Sequence, residues 1–163
     1  MTTPGATKKG DFIFDSFFTG GIGGTAVAVV LLALDLIRGE PFYSPNVLGA
    51  VLFTDTPITQ VAEVQLNLVV YATMFHYAGF VILGIGASAL MVYAKAVRTR
   101  APLLILVLLV MLEIGVRILS ATLTPGLVEA VGPGRVLIAN AAAAAAMGGF
   151  LIYAHREDTP QAG

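Results

Sequence analysis

Long apolar stretches dominate the chain, and the charged residues stand mostly between them. Four stretches are long enough to cross a bilayer, which takes roughly 20 helical residues. They cover approximately residues 17–37, 66–92, 102–123 and 136–153. This pattern predicts an all-α integral membrane protein, an antiparallel bundle of four transmembrane helices that forms a single membrane domain over residues 1–163.

The first apolar stretch follows Lys8 and Lys9, as the apolar region of a signal peptide would. Its apolar part is too long for a signal peptide, Asp11 and Asp15 intervene, and no small-residue cleavage site follows. We therefore expect this segment to be retained as the first transmembrane helix.

The connection over residues 39–63 is the longest one and carries an apolar segment of its own. Ser44 followed by Pro45 is a helix-start signal, a capping residue and then the first helical position. The apolar run over residues 47–53 follows and is too short to span a membrane, so we expect a short interfacial helix. A second start signal at residues 56–57 predicts that the second transmembrane helix begins early and is unusually long.

The basic residues predict the orientation of the bundle. One side of the membrane receives most of them: Lys8, Lys9, Lys95, Arg98, Arg100 and Arg156. The connections on the other side hold two basic residues among several acidic ones: Arg38, Arg135, Glu40, Asp55, Glu63 and Glu129. By the positive-inside rule, we expect both termini to face the cytoplasm.

Composition narrows the classes of function. Hydrophobic residues make up 57% of the chain and charged residues 12%, which excludes an ordinary soluble domain. The net charge of −1 provides no basic surface for nucleic acid. Cysteine is absent, which excludes disulfides, thiol redox chemistry and cysteine-ligated metals. We expect a multi-pass membrane protein, with the lipid bilayer around it.

Small residues recur at helical spacing and predict close packing of the helices. Gly20 and Gly24 share one face of the first span, Gly79 and Gly84 occur in the second, and a run of alanines occupies residues 141–146. Small residues let helix backbones approach closely in lipid, so we interpret these positions as packing positions.

Polar residues inside the spans are the candidates for a functional site, because they are costly in lipid and usually face the bundle interior. The candidates are His76, Glu113, Arg117, Asp35 and Asn140. At a rise of about 1.5 Å per residue, all five fall in the outer half of the bilayer. This common depth predicts one buried polar cluster.

Glu113 and Arg117 are spaced i,i+4 in the order that favours a helical ion pair. A purely structural pair would neutralise both charges and anchor the third span. Alternatively, the pair contributes to a site for an anion, a proton or a substrate.

His76 also has more than one interpretation. It could be a hydrogen-bonded core histidine, with Glu113 as a candidate partner at similar depth. It could relay protons or contact a ligand, because histidine titrates near neutral pH. A distant alternative is b-type haem ligation, in which Met74, Met111 or Met147 would supply the second ligand.

Asp35 lies near Arg38 at the outer end of the first span, and we expect an interfacial pair between them. No catalytic triad, paired-carboxylate site, phosphate loop or metal-ligand spacing occurs in the sequence. We therefore expect no enzymatic activity, no metal and no cofactor.

Two segments, residues 34–50 and 75–80, together resemble small four-span bacterial membrane proteins that have no assigned activity. The resemblance covers roughly the first half of the chain. It implies a four-helix bundle in a bacterial inner membrane and carries no catalytic or binding residue.

These observations favour a non-enzymatic structural or accessory subunit of a larger membrane complex, respiratory or photosynthetic, with other membrane subunits or further copies of the chain as partners. The alternative is a small proton-coupled or anion transporter or channel that uses the buried His76, Glu113 and Arg117 cluster.

Overall fold

The computed structural model describes residues 9–54, 56–61, 63–93 and 100–155. Every regular element in these ranges is a helix: α1 (Lys9–Ile37), α2 (Tyr43–Phe53), a 3₁₀ turn (Ile58–Gln60), α3 (Leu66–Tyr93), α4 (Ala101–Thr122), α5 (Leu127–Val131) and α6 (Pro133–Ala154). Helices α1, α3, α4 and α6 are long and apolar enough to span a membrane. The predicted class, an all-helical multi-pass membrane protein with four spans, is confirmed.

Several residues used for the predicted orientation lie outside the described residues: Lys8, Asp55, Lys95, Arg98 and Arg156. The prediction that both termini face the cytoplasm therefore stays a prediction.

The helix starts follow local chemistry, with two departures from the prediction. Pro102 and Pro133 occupy the first turns of α4 and α6, where the fixed φ of proline suits a helix and its missing N–H costs nothing. Helix α1 begins at Lys9, before the predicted span, and Asp15 in this early part lies 3.7 Å from His155. The early start predicted for the second span is wrong, since the helix begins at Leu66 and the described residues of the segment before it form only the 3₁₀ turn.

Helices α1 and α6 form the centre of the molecule. Helix α1 packs against both α3 and α6, and α4 packs against α6, so that α3 and α4 lie on the two flanks. The Asp15–His155 pair joins the beginning of α1 to the end of α6. A second pair, Asp35–Arg135, joins the end of α1 to the beginning of α6. We call the end near Asp35 the capped end, because α2 and α5 cover it.

A close crossing of α1 and α3 depends on two glycines. A Cβ atom added at Gly20 would collide with the backbone carbonyl of Phe80. One added at Gly84 would collide with the backbone carbonyl of Ser16. Since backbone atoms cannot move aside cheaply, only glycine permits this approach, as expected for helix pairs in lipid.

Helix α2 is fastened to the start of α3. Asn46 is buried, donates from Nδ2 to the carbonyl of Glu63 at 2.9 Å and accepts the backbone N–H of Gln65 on Oδ1, also at 2.9 Å. Gly49 lies against the backbone of Leu68, where a Cβ atom would not fit. These contacts hold α2 across the capped end.

The apolar core divides into two parts. The larger part joins the four long helices, and its fully buried members include Leu104, Leu108, Met147 and Leu151. The smaller part lies at the capped end and is formed by Val47, Leu127, Val131 and Val136. Leu31 of α1 packs against both parts.

Candidate functional site

A cavity of about 500 Å³, which we call the α3–α4 cavity, lies between the helices. Its side walls are α3 and α4, α1 and α6 lie behind it, and α2 and α5 lie over it at the capped end. It exists because the two flanking helices pack against the central pair rather than closely against each other. Its volume lies within the range of small-molecule binding sites.

The cavity is reachable from the side of the bundle. Ile82, which lines it on α3, is 70% exposed. In a membrane, this side of the molecule faces hydrocarbon chains rather than water. The cavity is therefore accessible to molecules dissolved in the bilayer.

The walls of the cavity are almost entirely apolar. Leu31, Val69, Leu112 and Val116 are typical members of the lining. Four lining residues carry polar side chains: Ser44, Thr73, His76 and Asn140. The two hydroxyl groups among them already donate hydrogen bonds within the protein, Ser44 to Asp35 and Thr73 to the carbonyl of Val69.

His76 forms its hydrogen bond to α1 and not to Glu113. Its Nε2 atom lies 3.0 Å from the carbonyl oxygen of Gly24, and a carbonyl oxygen can only accept, so Nε2 is the donor. Phe80 packs beside the ring at a centroid distance of 4.7 Å. His76 is thus a core residue whose Nε2 atom connects α3 to α1, and this hydrogen bond does not use Nδ1.

Glu113 lies with Arg117 and Asn140, as the prediction of a polar cluster expected for these three. Asn140 donates from Nδ2 to Glu113 Oε1 at 2.8 Å. The other carboxylate oxygen of Glu113 lies 3.9 Å from the guanidinium of Arg117, which is 59% exposed. The hydrogen bond from Asn140 is therefore the closer of the two contacts, and the i,i+4 ion pair is loose.

Asp35 belongs to a separate group, which we call the capping triad: Asp35, Ser44 and Arg135. Asp35 is completely buried and accepts the Ser44 backbone N–H at 2.8 Å and the Ser44 hydroxyl at 2.9 Å. Arg135 forms an ion pair with the same carboxylate, and its other terminal nitrogen donates to the carbonyl of Val131 at 3.0 Å. The triad connects α1, α2, α5 and α6 at the capped end.

Two local predictions are wrong at this point. Arg38 does not pair with Asp35 but with Glu40, at 3.4 Å on the exposed surface. Ser44 does not cap α2 with its own side chain; the helix begins at Tyr43, and Asp35 accepts the N–H of Ser44 in its first turn. A carboxylate from α1 thus takes the place of the predicted cap, because a helix N-terminus favours negative charge.

The five predicted residues consequently form three groups rather than one. Glu113, Arg117 and Asn140 form the first, His76 with Gly24 the second, and Asp35 the third. Sequence reasoning missed Arg135, which it counted only as a loop charge. The need of Asp35 for a basic partner did not distinguish Arg135 from the nearer Arg38.

The arrangement supports binding more readily than catalysis or metal ligation. Within the described ranges, no three histidine, aspartate or glutamate residues are grouped so that they could hold a metal ion. No protein-family model, no curated protein and no solved structure matches this chain. The geometry of the cavity is therefore the starting point for a function.

Proposed function

We propose that this chain is a non-enzymatic protein of the bacterial inner membrane that binds one apolar, membrane-dissolved molecule in the α3–α4 cavity. The observation that carries the proposal is the cavity itself, which has the volume of a ligand site, an apolar lining and an opening towards lipid. A cavity of this size left empty would forfeit the packing that holds a membrane bundle together.

We further propose an antiparallel bundle with both termini in the cytoplasm. The pairs Asp15–His155 and Asp35–Arg135 support opposite directions for α1 and α6. The excess of basic residues in the terminal tails and in the connection between α3 and α4 supports the cytoplasmic side for the termini. The capped end then lies on the outer side.

The experiment that tests the binding proposal is photolabelling in reconstituted vesicles with a hexadecyl chain that carries a diazirine. A binding site predicts saturable labelling of residues along the cavity, on α3 and α4, and loss of this labelling when unlabelled chain is added. If the protein has no binding site, labelling should be non-saturable and equally strong at lipid-facing residues outside the cavity, such as Met74. That second outcome would overturn the proposal.

Two glycines provide matched variants for the same experiment. Gly79 lines the cavity, and a Cβ atom there meets nothing within 4 Å, so Gly79→Phe should fill the cavity without a collision at the backbone. Gly149 of α6 also has open space around its Cβ position but is absent from the lining. We expect Gly79→Phe to abolish saturable labelling and Gly149→Phe to retain it.

A second candidate function is that of an accessory subunit of a larger membrane complex. The observation that favours it is Arg117, a charged side chain that is 59% exposed within a membrane-spanning helix. A charge at lipid-facing depth costs about 2.5–3.5 kcal/mol on insertion scales, and a neighbouring subunit would remove much of that cost. Crosslinking from Ile114 and Ile118, its exposed neighbours on α4, would detect such a subunit in native membranes.

Transport of protons or anions has less support. Asp35, Glu113 and His76 each have a partner within the chain, and the space beside them is lined mainly by apolar side chains. Haem ligation by His76 would require Nε2 to give up its hydrogen bond with Gly24. Ion transport and haem ligation therefore have less structural support than the binding of an apolar ligand.

A further inference from the structure

Two hydrogen-bond acceptors remain available among the polar side chains that line the α3–α4 cavity. His76 lies on α3 and Asn140 on α6, and both line the cavity. Since Nε2 of His76 donates to Gly24, Nδ1 of the neutral ring is an acceptor. Since a carboxylate can only accept, the Asn140 atom bonded to Glu113 is the amide nitrogen, and its Oδ1 is the remaining acceptor.

Neither acceptor is satisfied within the part of the chain that the structure describes. Nδ1 of His76 and Oδ1 of Asn140 have no hydrogen-bond partner there. They are also not among the buried polar atoms that are sealed off without a partner, so both retain accessible surface. Asn140 is only 6% exposed and lines the cavity, so the cavity is where its Oδ1 atom is reached.

No side chain that lines the cavity offers a free charge to an occupant. Asp35 and Arg135 neutralise each other above it, and Glu113 is held by Asn140 and Arg117 beside it. A carboxylate or phosphate head would meet these two acceptors and no cation, with at most the one N–H of Asn140 that Glu113 leaves free. In an apolar site that mismatch is costly. A head that donates hydrogen bonds meets suitable partners.

We propose that the occupant of the α3–α4 cavity is an uncharged single-chain lipid whose head carries hydroxyl groups, with its hydrocarbon chain along α3 and α4 and its hydroxyls donating to His76 Nδ1 and Asn140 Oδ1. This inference rests on the proposed binding function and adds the chemical class of the ligand. The occupant enters from the bilayer on the side of Ile82.

The test compares competitors of equal chain length against the diazirine-bearing hexadecyl probe on the wild-type protein. The competitors are 1-hexadecanol, which has a donor, hexadecyl methyl ether, which has only an acceptor, and palmitate, which is charged. One net hydrogen bond corresponds to about a fivefold gain in affinity. We expect hexadecanol to compete about fivefold better than the ether, and palmitate to compete no better than the ether.

Asn140→Leu tests the acceptor on α6. The competitor here is 1,2-hexadecanediol, whose two hydroxyls can donate to both acceptors. In this variant, its preference over the ether should fall about fivefold, to the value of one hydrogen bond to His76. Glu113→Gln is the matched control, because the glutamine carbonyl still accepts from Asn140 and leaves Oδ1 available. We expect it to retain the full preference.

The outcomes separate the two proposals. If no saturable labelling occurs, the binding function itself fails. If labelling is saturable but hexadecanol and the ether compete equally, the cavity binds an apolar molecule and the inference about hydroxyl groups is overturned. If palmitate competes best, the occupant is an anionic lipid, which also overturns the inference. Because the comparison uses the wild-type protein, a variant that fails to fold does not affect it.

Discussion

Arg135, in the first turn of α6, forms a buried ion pair with Asp35, which precedes it by 100 residues in the sequence. The same carboxylate accepts the backbone N–H of Ser44 in α2. One pair of side chains therefore holds together the helices that close the capped end, directly above the α3–α4 cavity. The pair therefore holds in place α2 and α5, the helices that cover the cavity at the capped end.

Breaking the ion pair should destabilise the protein strongly. Asp35→Asn leaves the Arg135 guanidinium buried without a counter-charge, and such losses typically cost about 3–5 kcal/mol. We expect the free energy of unfolding, measured by denaturant titration in detergent, to fall by about that amount. Adding Arg135→Met to Asp35→Asn should restore part of the loss, because the uncompensated charge is then gone.

Glu40→Gln is the matched control for this prediction. It breaks the Arg38–Glu40 pair, whose side chains are about half exposed, and surface pairs of this kind contribute only about 0–1 kcal/mol. Equal stability of the Asp35→Asn and Glu40→Gln variants would show that the capping triad does not hold the capped end together.

The close crossing of α1 and α3 gives a second stability prediction. Gly84→Ala places a methyl group against the carbonyl of Ser16, and we expect a loss of about 1–3 kcal/mol because neither backbone can yield freely. Gly149→Ala adds the same methyl group to open space and should be neutral or slightly stabilising. Thermal unfolding of the two variants side by side measures the difference. Equal midpoints would mean that the two helices are not in backbone contact there.

The contacts of Glu113 predict which of three variants loses the most stability. Glu113→Gln keeps an acceptor for Asn140 and should cost less than Glu113→Ala, which leaves the amide N–H groups of Asn140 unpaired at about 1–3 kcal/mol. Arg117→Met should be tolerated best, since the guanidinium is exposed and only loosely paired. Unfolding in detergent ranks them. A loss for Arg117→Met as large as that for Glu113→Ala would mean that the ion pair is the main contact of Glu113.

The predicted orientation can be tested with single cysteines, because the chain has none of its own. Gln60→Cys lies in the connection before α3, and Thr99→Cys lies in the sequence between the second and third predicted spans. In intact bacterial spheroplasts, a membrane-impermeant maleimide should label the variant at position 60 and reach position 99 only after the membrane is opened. The reverse pattern would place the termini outside.

The sequence predicted those features that depend on neighbouring residues. Apolar length identified four spans, because a segment that crosses the bilayer needs about 20 apolar residues. Such a segment forms a helix because its backbone polar groups must be hydrogen-bonded within the segment. The small residues at the α1–α3 crossing were likewise a local signal.

The features that it did not predict depend on residues distant in the chain. Asp35 was assigned to Arg38, three residues away, because nothing in the sequence indicates that Arg135 comes to the same place. Ser44 carried a capping signal, but the acceptor came from another helix. The α3–α4 cavity arises because two helices are kept apart by packing against the central pair, and no single segment encodes that separation.

The most direct test of the central claim is native mass spectrometry of the protein extracted from its own membrane in mild detergent. We predict one retained molecule of lipid mass per chain, present in the wild type and in Gly149→Phe and absent in Gly79→Phe, whose added ring fills the cavity. A wild-type chain that retains no such molecule, or a Gly79→Phe chain that retains it unchanged, would contradict the claim that the α3–α4 cavity is a binding site.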